Sequence, residues 1–421
     1  MNKLKAGAGI GTIHFPAVMF PVEGFCGIHD DPHARILLLE SGKRTVIVSL
    51  ELVMLPDTQI EQIQKLVGEY CDVRPEDVFV HLTHAITTPH DPRMMPPHMR
   101  PDHAETVGQL HEAAVLSAVK EAAVQAVGSI TEVSAAFAKG ESMVNINRDV
   151  ETPFGWWIGA GEGGPVNRDL RVLEFSDSHG KPVALLVSYA LKTCAVDNSQ
   201  MEENKRLISS DVAGRCCTLL EEKYGVPVLF LMSAAANQVP RQTAWHDEIT
   251  SGGEIRAVDH GVEYGLRLVA ELGEELSENV VHTLQSLKDI PVQAEVKTAA
   301  ASFPWPALSR MRREPRRSLD WPLTGRDTEV PVWVMILDSI AFVFGKAEMN
   351  PPTEADLLAA SPCPHTFLVT MTNGGMKYMP EAAAYDACTW EAQSALAAKG
   401  GAEKFIEVAV SLLRGTAHDG P

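Results

Sequence analysis

Apolar positions along this chain follow two rhythms. "RILLLES" (35–41) and "RTVIVSLELVML" (44–55) are near-continuous apolar runs meeting at "GK", which predicts two strands and a tight turn. "PDTQIEQIQKLVGEY" then spaces Ile60, Ile63, Leu66, Val67 and Tyr70 as one helical stripe, with Asp57 as its expected N-cap. "DVFVHLTH" returns to the strand rhythm. Strand, helix, strand in this order predicts an α/β layer structure.

The alternation continues. Residues 103–127 predict a second amphipathic helix, and "VSAAFAKGE", "LRVLEF" and "PVALLVSYAL" (182–191) predict strands. "SSDVAGRCCTLLEEKYG" predicts a helix capped at Ser210 or Asp211 and closed by Gly225. "VPVLFLMSAAA" is a buried strand, and a long helix is expected over roughly 253–280. "VPVWVMILDSIAFVFGKAE" predicts a hairpin turning at Asp338 and Ser339. "HTFLVTMTN" and "AEKFIEVAVSLLRG" predict a last strand and a C-terminal helix. With no repeat, linker or composition break, one α/β domain over 1–421 is expected, with 303–329, rich in Pro, Arg and Trp, as an excursion.

Composition narrows the class. The 421 residues are 45% hydrophobic and 22% charged, which suits a globular chain with a large core. A formal net charge of −19 argues against a phosphate-backbone surface, so no nucleic-acid partner is expected. The basic stretch "RMRREPRR" (310–317) reads as a solvated surface segment or an anion-binding patch. Seven cysteines without a C-x-x-C spacing disfavour zinc knuckles and a disulfide framework. The first residues carry no apolar stretch of signal-peptide length, and no run of 18 apolar residues exists. A cytoplasmic protein with a small-molecule substrate and no membrane insertion is expected, self-association being left open.

Candidate chemistry gathers at strand ends. "GAGIGT" (7–12) lacks the preceding strand and following helix that a dinucleotide loop requires. Residues 81–103 hold His81, His84, His90, His98 and His103, and imidazole is a common zinc ligand. His84 ends its strand, where α/β folds gather ligand sites, whereas His98 and His103 read as exposed loop residues. Met94, Met95 and Met99 suit either an apolar pocket or ordinary packing. "NINRD" (145–149) offers Arg148 for an oxyanion, or simply a turn. Lys192 closes "LVSYALK", either reaching to water or held in a cleft with a shifted pKa. Asn237 and Gln238 follow "FLMSAAA", and Glu348 follows "FVFGKA".

These stretches, in this order, resemble the N-terminal catalytic domain of the neutral/alkaline non-lysosomal ceramidases over nearly the whole chain. "FVHLTHAITTP" is similar to the family's Thr-His-Thr-His-Ser-Gly-Pro segment, and "VSYALKT" to its Ala-x-His-Gly-Thr segment. "LISSDVAGRCCTLLEE", "SAAANQVPR", "FGKAEMN" and "NGGMKYMPEAAAY" resemble later blocks. The resemblance implies a mixed β-sheet core flanked by helices, without the family's C-terminal immunoglobulin-like domain. It further implies a zinc amidase whose metal-bound water attacks an amide. Carried across, His84, Glu348 and Tyr378 are the implied metal ligands, and Arg148 matches a family arginine.

Several family positions differ, among them Ala236-Asn237 for Gly-Asp and Lys346-Ala347 for the Pro-Gly before Glu348. The second histidine of Thr-His-Thr-His is Ile86, the histidine of His-Gly-Thr is Lys192, and the serine of Gly-Asp-x-Ser-Pro is Val239, which excludes a serine-dependent step. His90 is a candidate replacement ligand. Lys192, Arg148 and Asn237 are the catalytic candidates, and His29, His90, Gln238 and Asp211 the substrate-binding ones. Three readings follow: a zinc hydrolase of a small amide or ester; a metal-independent isomerase, epimerase or lyase built on Lys192; and a non-catalytic binding protein.

Overall fold

The computed structural model describes residues 3–159, 163–202, 204–293, 295–317 and 320–418. Its larger sheet contains β1 (Lys5–Thr12), β2 (His33–Ser41), β3 (Lys43–Leu50), β4 (Val78–Leu82), β5 (Thr131–Glu141), β6 (Asp169–Asp177), β7 (Pro182–Tyr189) and β8 (Val228–Met232). Their order is β8-β7-β6-β5-β1-β2-β3-β4, with Lys288–Ile290 pairing beside β5. The outer pairs β3/β4 and β7/β8 are parallel, and the inner neighbours are antiparallel. The second sheet runs β9 (Lys297–Leu308), β10 (Leu323–Leu337), β11 (Ile340–Gly345) and β12 (His365–Val369), with β11 and β12 parallel. The helices are α1 (Asp57–Cys71), α2 (Ala104–Gly128), α3 (Asp211–Tyr224), α4 (Val262–Leu284), α5 (Pro351–Ala360), α6 (Ala382–Ala387), α7 (Trp390–Ser394) and α8 (Gly401–His418).

Side-chain alternation explains the layering. In β3, Val46 and Val48 join Ile60, Ile63, Val115, Val212 and Leu272 in a core beneath α1–α4, while Ile47 faces the other way. That second core joins the sheets: Leu37, Phe79, Leu173 and Leu186 meet Met335, Phe342, Phe344 and Phe367. Phe79 and Phe344 stack across it with ring centroids 4.2 Å apart. On the far side, Val332, Val334 and Val343 pack on Leu357 of α5 and Phe405 of α8. The result is four layers, helices, sheet, sheet, helices, in agreement with the expected mixed α/β class.

"GAGIGT" is a packing device. Gly7, Gly9 and Gly11 share one face of β1, and a Cβ at any of them would overlap the carbonyl oxygen of Ala126, Ala122 or Ala118 of α2. Helix and sheet approach closely because both contact rows are small.

Three local expectations change. Residues 255–259 form a hairpin strand against Trp245–Ile249, so the long helix starts at Val262 rather than near 253. Pro56, not Asp57, is the N-cap of α1, and Asp57 pairs with Lys346 at 2.7 Å. Within the excursion expected over 303–329, residues 303–308 and 323–329 belong to the β9/β10 ladder, which leaves 309–322 as the connection; residues 318 and 319 lie outside the described residues. Among the described residues no helix is long and apolar enough to cross a membrane.

Candidate functional site

Strands β4, β7, β8 and β11, each a member of a parallel pair, carry polar groups just past their C-terminal ends, and backbone bonds draw these loops together. Ile86 N–H donates to the Thr193 carbonyl at 3.2 Å, and Thr193 Oγ1 to the Thr83 carbonyl at 2.9 Å, which places His84 beside Lys192. Lys192 N–H donates to the Gln238 carbonyl at 2.9 Å, joining the loops after β7 and β8. Glu348 N–H donates to the Lys377 carbonyl and Met379 N–H to the Glu348 carbonyl, both at 2.8 Å, so Glu348 and Tyr378 lie side by side. Tyr378 also bridges to Ala395, which brings in α7 with Trp390 and Glu391.

At the centre Lys192 Nζ lies 2.7 Å from Glu348 Oε2 and donates to Tyr378 Oη at 2.8 Å. The ammonium is fully buried, and Glu348 is 3% exposed. Burial alone would lower the Lys192 pKa, but Glu348 and Tyr378 outweigh it and hold the group above its ordinary value, so it is a cation. Burial likewise opposes ionisation of Glu348, yet the attraction of His84, Lys192 and Arg148 leaves its carboxyl below the ordinary range.

His84 completes the group in an unusual backbone state, with φ +57° just past β4. A left-handed conformation in a non-glycine residue costs on the order of 1 kcal/mol, and such strain is found where a side chain must be aimed. Nδ1 bonds to the Val53 carbonyl at 3.1 Å, which requires a proton on Nδ1. Burial lowers the His84 pKa to about 4. The ring is therefore neutral, and Nε2, 3.6 Å from Glu348 Oε1, carries a lone pair.

Arg148 forms the next shell of charge. Its Nε donates to Glu391 Oε1 at 2.9 Å and its Nη2 to Tyr378 Oη at 3.4 Å. Tyr378 Oη thus accepts from both Lys192 and Arg148. Asp149, beside Arg148, is pushed well above the ordinary carboxylate range by burial and by Glu391, so it keeps its proton. Asp149 Oδ1 and Glu391 Oε2 are buried without other partners, and a proton shared between these carboxyls satisfies both.

The remaining candidates are distributed differently. Asn237 donates to Asp149 Oδ2 at 2.8 Å and accepts from Gln238 Nε2 at 2.9 Å, so both sit behind Arg148. Asp211, at φ +56°, accepts the N–H groups of Ala195, Val196 and Val212 and pins the loop after Lys192. Burial raises its pKa to about 6. His90 pairs with Glu23 through Nδ1 at 3.1 Å. His29 is exposed, and its backbone N–H donates to the Ile208 carbonyl at 2.8 Å. His98 and His103 are exposed, as expected. Glu391, Asp149 and Trp390 escaped the sequence reading. Only the apolar setting of "ACTWEAQSA" hints that Glu391 is buried.

A cavity of about 50 Å³ adjoins Arg148 and is lined also by Asp197, Cys194, Ile86, Ile158, Val239 and Asp247. Two positions that are polar in the family pattern, Ile86 and Val239, are apolar walls of this one space. The volume admits a group of a few heavy atoms.

No protein-family model and no curated protein matches the chain. Two solved structures are similar over its length. A ceramidase complexed with C2 has a TM-score of 0.75 and 15% identity, covering 100% of this chain and 76% of that one. The neutral ceramidase from Pseudomonas aeruginosa has a TM-score of 0.72 and 16% identity, covering 98% and 74%. The fold is that of the neutral ceramidases.

Whether this ceramidase-like chain suits a metal turns on its donor set. Among the described residues no group of three or more His, Cys, Asp or Glu side chains is placed to hold a metal ion. Lys192 Nζ lies between Glu348 and Tyr378, two of the three implied ligands, at hydrogen-bonding distance from both. A dication there would face a buried ammonium at close range, and the two charges repel strongly in a low-dielectric site. The residues present do not fit zinc.

Proposed function

We propose that this ceramidase-like chain is a metal-independent enzyme that removes a proton next to a substrate carbonyl, as an isomerase, epimerase or lyase does. The observation that carries this reading is the buried Lys192 ammonium held between Glu348 and Tyr378. Its charge makes it a fixed cation rather than a base or an imine-forming amine. His84 Nε2, with its proton fixed on Nδ1, is the base. It takes the proton from carbon, and the electron pair of the broken C–H bond moves onto the carbonyl oxygen. Lys192 and the O–H of Tyr378 stabilise that oxyanion. Return of the proton to another face or carbon gives epimerisation or isomerisation, and departure of a β-substituent gives elimination. The cavity beside Arg148, walled in part by Ile86 and Val239, suits a small group of the substrate.

A second reading, hydrolysis of a small amide or ester, is favoured by the ceramidase-like fold together with His84, Glu348 and Tyr378 standing in one group. There His84 takes a proton from water while Lys192 and Tyr378 polarise the carbonyl. The readings part in one experiment. A panel of small carbonyl acids and N-acyl compounds is incubated with enzyme in D2O plus chelator and followed by NMR. Deuterium entering next to a carbonyl, lost in Lys192→Met, supports proton abstraction. Cleavage of the N-acyl bond without exchange supports hydrolysis, and turnover that only added zinc restores contradicts both metal-free schemes.

A further inference from the structure

The arginine-rich stretch 310–317 plays no part in the chemistry above, yet it is fastened to the wall of the site. Glu314 N–H donates to Gln393 Oε1 of α7 at 3.0 Å, and Arg317 Nη2 to the Thr152 carbonyl at 2.8 Å. Arg313 stacks on Trp390, its guanidinium carbon 4.8 Å from the ring centroid. Arg148 stacks on the same ring at 5.1 Å, and Trp390 meets Tyr378 edge-on at 5.4 Å. One aromatic ring thus separates the rim from the centre. Lys377 directly precedes Tyr378, so Arg313, Trp390, Tyr378 and Lys377 follow one another along this wall, with Arg310 three positions before Arg313.

The charges here are unbalanced. Arg312 faces Glu314 at 3.8 Å and Arg317 faces Glu151 at 3.6 Å. Among the described residues Arg310, Arg313 and Lys377 have no carboxylate partner, in a chain of net charge −19. Unpaired cations held close together repel one another, and a bound anion relieves that repulsion. Guanidinium groups stacked on an aromatic ring keep their N–H edges free for carboxylate or phosphate oxygens.

We propose that the substrate is an anion whose carboxylate or phosphate is gathered by Arg310, Arg313 and Lys377 while its reacting carbonyl reaches Lys192 and Tyr378. This rests on the reading of the central group as the reaction site, but its test does not depend on turnover. Inorganic phosphate and succinate are titrated calorimetrically into wild type, an Arg310→Gln/Arg313→Gln double variant and Tyr378→Phe, at low and high ionic strength. The surface substitutions leave folding intact, which circular dichroism checks. The expected result is wild-type binding of at least one anion, weakened roughly tenfold or more in the double variant and by salt, and kept in Tyr378→Phe. The preferred anion identifies which acid group the rim takes. If wild type binds neither anion, if the double variant binds as well as wild type, or if Tyr378→Phe loses binding to the same extent, the rim site is overturned. Binding kept in Tyr378→Phe alongside failure of the exchange assay would retire the proposed chemistry and leave the rim standing.

Discussion

Lys192 Nζ lies 2.7 Å from Glu348 Oε2, with the lysine fully buried and the glutamate 3% exposed. Each charge is tolerable only because of the other. Lys192→Met leaves the carboxylate uncompensated and is expected to destabilise the fold by about 3–5 kcal/mol, as is Glu348→Gln. The double variant removes both charges and should recover most of that loss. Denaturant unfolding of the four proteins measures the coupling. Additive single effects would show that the pair is not coupled.

His84 predicts a pH dependence of definite sign. Its folded pKa is about 4 against an ordinary 6.5, so between these values the unfolded chain binds the extra proton. The neutral ring's contribution is complete above pH 6.5 and is lost as pH falls through the folded value. Relative to His84→Gln, wild type should lose about 3 kcal/mol of stability on acidification across that window. If His84 is the base, the acid limb of wild-type kcat/KM should fall near pH 4 rather than 6.5. An acid limb near 6.5 would remove His84 from that role.

Arg148 has a reserve counter-charge. Glu391 now pairs with it while Asp149 stays protonated. In Glu391→Gln the neighbouring negative charge disappears, and Asp149 can ionise beside the guanidinium. The expected loss is about 1–2 kcal/mol for Glu391→Gln alone. The double variant with Asp149→Asn, which leaves Arg148 without either carboxylate, should lose about 3–5 kcal/mol. Thermal unfolding of both variants decides it, and equal losses would exclude the exchange of partners.

The close approach of β1 to α2 is also simple to test. Gly9→Ala puts a methyl group into the Ala122 carbonyl oxygen of α2. A loss of about 3 kcal/mol is expected from the forced separation of helix and sheet. Ile10→Val, one position along on the other face of β1, should change stability far less. Denaturation midpoints compare the two.

Much of this was legible because period-2 and period-3.6 patterns report which faces are buried. β2, β3, α1, α3, β10 and β11 follow directly from such runs, and so does the position of Lys192 just beyond an apolar strand. What escaped depends on pairing distant in sequence. "EIRAVD" has apolar spacing that suits a helix start as well as a strand, and only its partner Trp245–Ile249 selects the hairpin. Glu391 sits in the first turn of a short helix, where acidic residues are ordinarily solvated. Its burial comes from Arg148, 243 positions earlier. The pairing of His90 with Glu23, 67 residues away, likewise gives no local signal.

Metal content tests most directly whether Lys192 stands where a metal would. Wild type and Lys192→His are produced in zinc-supplemented medium, purified without chelator and analysed by plasma mass spectrometry. The substitution exchanges the ammonium for an imidazole beside His84, Glu348 and Tyr378, a donor set zinc accepts. Wild type is expected to hold far less than one equivalent of zinc, and Lys192→His to gain it. One tightly held equivalent in wild type would contradict the metal-free site.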